Sequence, residues 1–438
     1  MNDIKARVFN FIQKLMKSGF GHLFGSSVIS KVLGFMSSVI LVRLIPKTDY
    51  GIYSNADNIL GMFCIFEGFG MVSTFLQYGS TNQGEKKKEI WSFCFYFSLL
   101  FQIALSIVIL FISMTINFSI PGTGILLGAM SFLPIFRNIR DLQQVYLRTE
   151  FRNKEYARSN ILTTVVTVIT SCVFSFFFLT KGLIVASYIS VFATIIYVMY
   201  ICHVKLPSKS NNLTRQEKAK LIKFSTVCVI NNSTSSIMYL IDTFVLGIVI
   251  ASSTVTASYK VASKIPTALA FIPGCVMTYI YPYFAKHKDD GNWCLRNYKK
   301  VLVLFGVFNL LMVGPLILFA PYVIRLVFGA QYLDALVSFR LLCLNYIIQA
   351  TFATVSGQLL VSQEKLGFNT FTGVLSSILN TILNLALIPK YSSVGAAVAT
   401  VTVTAVVGIL STGFLLNVLK KKRNEQYGRK IIERKRIY

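Results

Sequence analysis

Charge is what this sequence has least of. Only 14% of its 438 residues are Asp, Glu, Lys or Arg, while 54% are apolar; a soluble domain carries roughly 25% charged residues. That excludes an ordinary soluble protein and points to an integral membrane one. Histidine is rarer still: His22, His203 and His287 stand alone at predicted helix ends, without metal-ligand spacing. The eight cysteines form no CxxC pair and lie in or beside apolar runs, so they read as small packing residues rather than disulfides or metal ligands. No GxxxxGK(S/T) phosphate loop occurs, and "GFGHLFG" (19–25) misses the GxGxxG spacing, so neither ATP hydrolysis nor a bound cofactor is expected. Long polar stretches are missing as well. Twelve spans of about 22 residues would take about 264 positions and leave about 170 for loops and tails. That leaves no room for a large catalytic domain outside the membrane.

Acids are the scarcer charge, 17 against 43 Lys and Arg, for a net charge of +26. In a soluble protein such an excess would suggest nucleic acid. Here the cations lie between apolar runs, where the positive-inside rule accounts for them, and no nucleic-acid partner is expected. Runs of span length predict helices near 20–44, 52–78, 90–114, 119–141, 158–180, 183–203, 222–249, 255–282, 299–320, 335–361, 368–389 and 394–418. An even number puts both termini on one side. Alternate connections hold the basic groups: Lys5 to Lys17, Lys86 to Lys88, Arg148 to Arg158, Lys205 to Lys220, Lys286 to Lys300, and the tail from Lys420 to Arg436. The other connections hold little beyond Lys47, Lys181, Arg325 and Lys390, which predicts cytoplasmic termini. Trp91, Tyr50, Tyr53, Tyr281 and Tyr283 are placed like interfacial aromatics. No cleavable signal peptide is expected, because the first apolar run continues to Leu44.

The polar stretch 205–221 reads as a cytoplasmic linker between an N-terminal six-helix bundle (1–204) and a C-terminal one (222–418), followed by a basic cytoplasmic tail (419–438). Two weak internal matches support a duplication. "DYGIYSNADNI" (49–59) resembles "TASYKVASKI" (256–265), and "YLRTEFRNKEYARSNILTT" (146–164) resembles "LLVSQEKLGFNTFTGVLSS" (359–377), at offsets of 206 and 213. A parallel repeat predicts two pseudo-symmetric bundles around a central cavity.

Ionisable groups within spans are costly and usually face a cavity or the bundle interior. Lys31 lies about 16 Å into the first helix at 1.5 Å rise per residue, on one face with Ser27, Gly34 and Ser38. Lys260 and Lys264 are four apart on the eighth helix. Arg137 and Arg140 stand near the cytoplasmic end of the fourth helix, and Arg340 near the outer end of the tenth. Asn231, Ser235 and Asp242 share a face of the seventh helix; Asn369, Ser376, Asn380 and Asn384 share one of the eleventh. The cations suit phosphate, and Asn231, Asn380 and Asn384 suit sugar hydroxyls. Asp57, Glu67 and Asp242 are candidates for ion coupling. Competing readings are snorkelling of Arg137, Arg140 and Lys260, an ion pair of Asp242 with Lys264, and asparagine stripes that only join helices. Pro266, Pro273 and Pro282 are placed to bend the eighth helix.

"LVRLIPKTDYGIYS" (41–54), "YLIDTFVLGIVIASSTVTASYKVASKI" (239–265), "FAPYVIRLVFGAQYLDALVSFRLL" (319–342) and "LNTILNLALIPKYSSVGAAVAT" (379–400) resemble the Wzx-type oligosaccharide flippases of the multidrug/oligosaccharidyl-lipid/polysaccharide exporter superfamily. The resemblance implies an all-α polytopic fold of about twelve transmembrane helices. It implies movement of an undecaprenyl-pyrophosphate-linked oligosaccharide, an O-antigen or similar unit, across the bacterial inner membrane by alternating access. Membrane lipids, a polysaccharide polymerase and a chain-length regulator would be partners. One departure is "FEGFG" (66–70), where relatives often carry Asp before the glycine; Glu67 could serve instead. A drug/cation antiporter is the alternative, and it should favour acidic cavity groups. A membrane-embedded polymerase would need a large outer loop, whereas the longest outer connection is 320–334. An epitope inserted at 320–334 should therefore be accessible in intact cells and a tag at either terminus should not; the opposite labelling pattern would overturn this topology.

Overall fold

A computed structural model describes residues 20–208 and 212–437, and the side chains of these apart from 20–24, 231–236, 238–239 and 427–437. The side chains of Asn231 and Ser235 thus lie outside the described residues. All regular elements among the described residues are helices. The chain forms two compact units, Met1–Ser236 and Ile237–Tyr438. The division falls inside one long helix, beyond the linker expected from the sequence.

The first unit runs α1 (Phe20–Leu44), α2 (Lys47–Cys64), a 3-10 turn (Glu67–Gly70), α3 (Met71–Thr81), α4 (Gly84–Thr115), α5 (Thr123–Met130), α6 (Leu133–Thr149) and α7 (Asn153–Ile196), and ends in the first part of α8 (Arg215–Val249). The second continues with α9 (Ser253–Leu269), α10 (Phe271–Lys286), α11 (Gly291–Leu318), α12 (Ala320–Val327), a 3-10 turn (Ala330–Ala335), α13 (Leu336–Ile348), a π turn, α14 (Thr354–Ser362) and α15 (Leu366–Ile437). Starts are set by local chemistry. Pro46 precedes α2, the Ser252 hydroxyl caps α9 at Val255 N–H, and the Asp290 carboxylate caps α11 at Trp293 N–H.

α7 and α15 are hairpins, each of two passes. The hydroxyls of Thr163 and Thr194 are 2.8 Å apart, whereas 31 residues of straight helix would separate them by about 46 Å. The rings of Phe368 and Phe414 likewise stack at 4.0 Å. The reversals are at Leu179 (φ 50°, ψ −128°) and Ser392 (φ 53°, ψ −133°). So the described chain makes twelve passes, and eight of its helical segments are long and apolar enough on their own to cross a membrane.

The two reversals are 213 residues apart, the spacing of the second sequence match, and the likeness extends to packing. Gly182 faces the Phe174 carbonyl and Gly395 the Leu387 carbonyl, each too closely to admit a Cβ. α2 and α9 begin 206 residues apart, the spacing of the first match, and end at matching points, Cys64 and Leu269; the positive-φ break that follows at Gly68–Gly70 has no counterpart at Ala270, which keeps helical angles. Two sharp bends built the same way at the same spacing are what a duplicated bundle requires.

Side chains lock the polar ends. In the first unit Lys87 pairs with Glu150 at 2.5 Å and donates to Thr149 O. Thr214 and Glu217 form a reciprocal capping box at the start of α8, and Lys86 pairs with Glu217 at 2.5 Å. The Lys86 ammonium, then the Thr214 N–H and hydroxyl, hold the Glu217 carboxyl down at about 2. A depressed carboxyl stabilises above its free value, so this latch is lost only as pH falls from about 4.5 toward 2. In the second unit Lys288 pairs with Glu364, and Lys422 donates to Lys288 O and Gln363 Oε1, which seats the terminal part of α15 on the turn between α10 and α11.

Trp91 and Tyr50 are not interfacial anchors. Trp91 is buried among Phe75, Phe95 and Tyr146, with ring centroids 4.8 to 5.8 Å apart, and Tyr50 is buried too. Adjacency to Lys86–Lys88 suggested an interface, but Trp91 faces inward because α4 packs there against α3 and α6. Of the other expected anchors, Tyr283 is exposed and Tyr53 and Tyr281 are half-buried.

Gly182→Ala and Gly395→Ala should each destabilise by about 1–3 kcal/mol, the usual range for overpacking, and by similar amounts. Thermal unfolding of the purified protein checks this, and a marked difference between the two would deny that the turns are equivalent.

Candidate functional site

The first unit gathers four of the candidate residues. The break after α2 places Gly68, Phe69 and Gly70 at φ values of 58°, 47° and 69° in succession. Gly68 and Gly70 are required there for space as well. A Cβ on Gly68 would strike Asn138 Oδ1, and one on Gly70 would come within 2.6 Å of Ser225 O. The Gly68 N–H released by the break donates to Gln102 Oε1 at 2.8 Å, and Asn138 Nδ2 to Ser98 Oγ at 3.0 Å. Beside this break Arg137 interacts with Cys64, Glu67, Asp57 and Tyr53. Glu67 in turn feels Asp141, Arg137 and Arg140. Arg140 is paired with Asp141 at 2.7 Å. Asp57, Glu67, Arg137 and Arg140 thus share one charged region, in which the ion pair formed among the described residues is that of Arg140 with Asp141; Arg137 forms none with Asp57 or Glu67. Glu67 Oε1, Gln102 Nε2, Asn138 Oδ1 and both amide atoms of Gln143 are buried without a hydrogen-bond partner.

Lys31 stands apart from that cluster. α1 packs chiefly against α7, with Asn160 Nδ2 donating to Ser30 Oγ. Ser26 and Ser37 are buried on the packed side, while Ser27, Lys31 and Gly34 are exposed.

The second unit holds a different arrangement. Asp242, on α8, is 5% exposed and accepts three hydrogen bonds, all from neutral groups: Tyr259 Oη at 2.6 Å and Thr400 Oγ1 at 2.5 Å to Oδ2, and Asn384 Nδ2 at 2.7 Å to Oδ1. Asn384 Nδ2 also contacts Asn380 Oδ1. The expected competitor, an ion pair with Lys264, is not what holds this carboxylate. Asn380 and Asn384 are fully buried around Asp242 rather than open to a sugar. Asn380 Nδ2 and Asn384 Oδ1, on the two asparagines of this network, are buried without partners. Asn369 and Ser376, from the same predicted stripe, bond to Gly357 O and Gly373 O.

Lys260 and Lys264 are half-buried on α9, and Arg340 is exposed, its Nε donating to Ile317 O at 3.2 Å. Among the described residues Lys31, Lys260 and Arg340 form no ion pair, while pairs do form at Lys86, Lys87, Lys88, Arg140, Arg152 and Lys288. Sequence reasoning missed Tyr259 and Thr400 as partners of Asp242, and Gln102, Asn138 and Gln143 at the break. Tyr259 was legible in principle, being the aromatic of the repeated "ASYK" segment. Thr400 lies 158 residues from Asp242 and carried no signal.

The model of a family described as polysaccharide biosynthesis protein matches residues 40–337, more than half the chain. The chain is 23% identical to the probable low-salt glycan biosynthesis flippase Agl15 of Haloferax volcanii, over 91% of this chain and 83% of that one. Among solved structures it superposes on the lipid II flippase MurJ in an inward closed conformation with a TM-score of 0.70 and 16% identity, covering 92% of this chain and 89% of that one. It also superposes on an inward-facing multidrug resistance MATE family transporter of the MOP superfamily with a TM-score of 0.65 and 15% identity, covering 90% and 96%. At such identities the structural matches show the fold alone.

Arg137 is the half-buried guanidinium that shares this region with Asp57 and Glu67. If it offsets their charge, Arg137→Ala should lower stability by about 3 kcal/mol, as breaking one side of a buried charge arrangement does, and adding Asp57→Asn should restore part of it. Thermal unfolding in detergent measures both, and an unchanged Arg137→Ala would show that the guanidinium does not balance that cluster.

Proposed function

Taking as premise that this chain belongs to the polysaccharide biosynthesis protein family, we propose that it is a flippase for an oligosaccharide carried on undecaprenyl pyrophosphate, working by alternating access. In this reading it lies in the bacterial inner membrane with both termini cytoplasmic. The observation that carries it is the placement of cations. Lys31, Lys260 and Arg340 lie along predicted spans and form no ion pair among the described residues, where the pairs fall at Lys86, Lys87, Lys88, Arg140, Arg152 and Lys288. An unmatched cation in a span is expensive and is kept where an anion must be received. A pyrophosphate supplies that anion, and only the hydroxyl-rich head needs a polar path while the lipid tail stays in the bilayer. Moving its two negative charges outward, down an inside-negative potential, is favourable by about 4.6 kcal/mol per 100 mV if uncompensated.

Asp242 is the coupling site in this reading. Its oxygens, with those of Asn380, Asn384 and Thr400, make an all-oxygen set suited to a hard monovalent cation, and the carboxylate alone suits a proton. Asn384 Oδ1, buried without a hydrogen-bond partner, is an oxygen free to meet such a cation. Glu67 and Asp57 share their region with Arg137 and Arg140 and are left out of the coupling role in this reading. The fold is shared with a MATE transporter, so a drug/cation antiporter is the second reading; the unpaired basic groups favour the anionic substrate.

Lys31→Ala and Lys264→Ala should each reduce flipping of lipid-linked oligosaccharide at least tenfold in reconstituted vesicles, with folded protein at the wild-type level. Wild-type transport by both variants would refute cationic recognition.

A further inference from the structure

Asp242 is fixed by donors from three helical passes, and they are not equivalent. Asn384 and Thr400 lie on the two arms of α15 and each has a second acceptor, Asn380 Oδ1 and Ala396 O respectively. The Tyr259 phenol, 4% exposed, hydrogen-bonds to Asp242 Oδ2. Tyr259 is also the one α9 side chain that bonds this carboxylate among the described residues. α9 is the helix that carries Lys260 and Lys264, one and five positions further on. At about 100° per residue both lysines project from faces other than the one Tyr259 turns to Asp242. One residue before Tyr259, Ser258 Oγ donates to Asp334 Oδ2 at 2.7 Å, tying the same turn of α9 to the 3-10 turn that leads into α13.

We propose that Tyr259 is a positioning residue that transmits the state of the Asp242 carboxylate to α9, and so to the lysines that receive the substrate phosphate. This rests on the coupling role proposed above for Asp242. The phenol donates to a charged carboxylate with the strength of a charge-assisted hydrogen bond. When a proton or a monovalent cation occupies Oδ2, that acceptor is neutralised. The phenol must then offer its lone pair to the cation or leave. Asn384 and Thr400 keep their second acceptors in either state, so the change falls on α9. Coupling between two ligands needs one element whose placement both of them bias, and α9 meets that condition through a single hydrogen bond.

The test uses the full-length protein in detergent and in proteoliposomes, with wild type, Tyr259→Phe, Tyr259→Gln and Asp242→Asn. Cation binding is read as the shift in unfolding temperature between NaCl and choline chloride, and between pH 5.5 and 7.5, in steps of about 2 pH units. Coupling is read as the acceleration of flipping by a Na⁺ or a pH gradient, expected within about 5- to 150-fold for wild type. The two gradients distinguish the cation from the proton. Tyr259→Phe should keep the binding shift and the gradient-free flipping rate but lose the acceleration, and Tyr259→Gln, which restores a donor, should recover part of it. Asp242→Asn should lose both the shift and the acceleration. If Tyr259→Phe keeps the full acceleration, or slows flipping equally with and without a gradient, the proposal fails while the Asp242 assignment stands. If Asp242→Asn retains both responses, that assignment fails and the role of Tyr259 falls with it. Should Tyr259→Phe not fold, Tyr259→Leu, which likewise lacks the hydroxyl, carries the same comparison.

Discussion

A carboxylate inside a hydrocarbon slab must be satisfied by protein, because no water is there to do it. Asp242 meets that requirement with neutral donors only, drawn from α9 and from both arms of α15. Much of the second unit follows from this choice. The arms of α15 must return past one another for Asn384 and Thr400 to reach one side chain, so the reversal at Ser392 and the glycine at Gly395 become structural necessities. α9 must lie with Tyr259 inward, which turns Lys260 and Lys264 elsewhere. No cationic partner holds this carboxylate among the described residues; two hydroxyls and an amide do.

The first unit has the same scaffold and the opposite electrostatic solution. Its α2 ends at the point matching the end of α9, and its hairpin turns at the equivalent residue, yet its acids sit beside guanidiniums. Duplication preserved what backbone geometry demands, the two positive-φ turns and the glycines beneath them, and let the buried polar chemistry diverge. One half places its acids near guanidiniums and the other holds a carboxylate by neutral donors alone.

Most of the architecture was legible in the sequence, because a span needs a long apolar run and the chain has twelve. Both repeat offsets reappear in the structure, at the starts of α2 and α9 and at the turns of Leu179 and Ser392. The apolar pattern marked where α7 and α15 reverse, since Lys181 and Lys390 interrupt it. What it concealed was direction. Trp91 beside three lysines gave no sign of facing inward, and the asparagine stripe of α15 gave no sign that Asn380 and Asn384 face a carboxylate 142 residues earlier in the chain rather than open space. A helical face is readable from periodicity, but what packs on it depends on contacts distant in sequence.

The central claim is that this fold receives an anionic, lipid-anchored head. The most direct measurement is transport by the purified protein in vesicles of three fluorescent compounds: an oligosaccharide on polyprenyl pyrophosphate, the same oligosaccharide on an uncharged lipid anchor, and a lipophilic cationic dye. The account predicts translocation of the first, little of the second and none of the third. Expulsion of the dye driven by a cation gradient, with the pyrophosphate-linked head left in place, would contradict it.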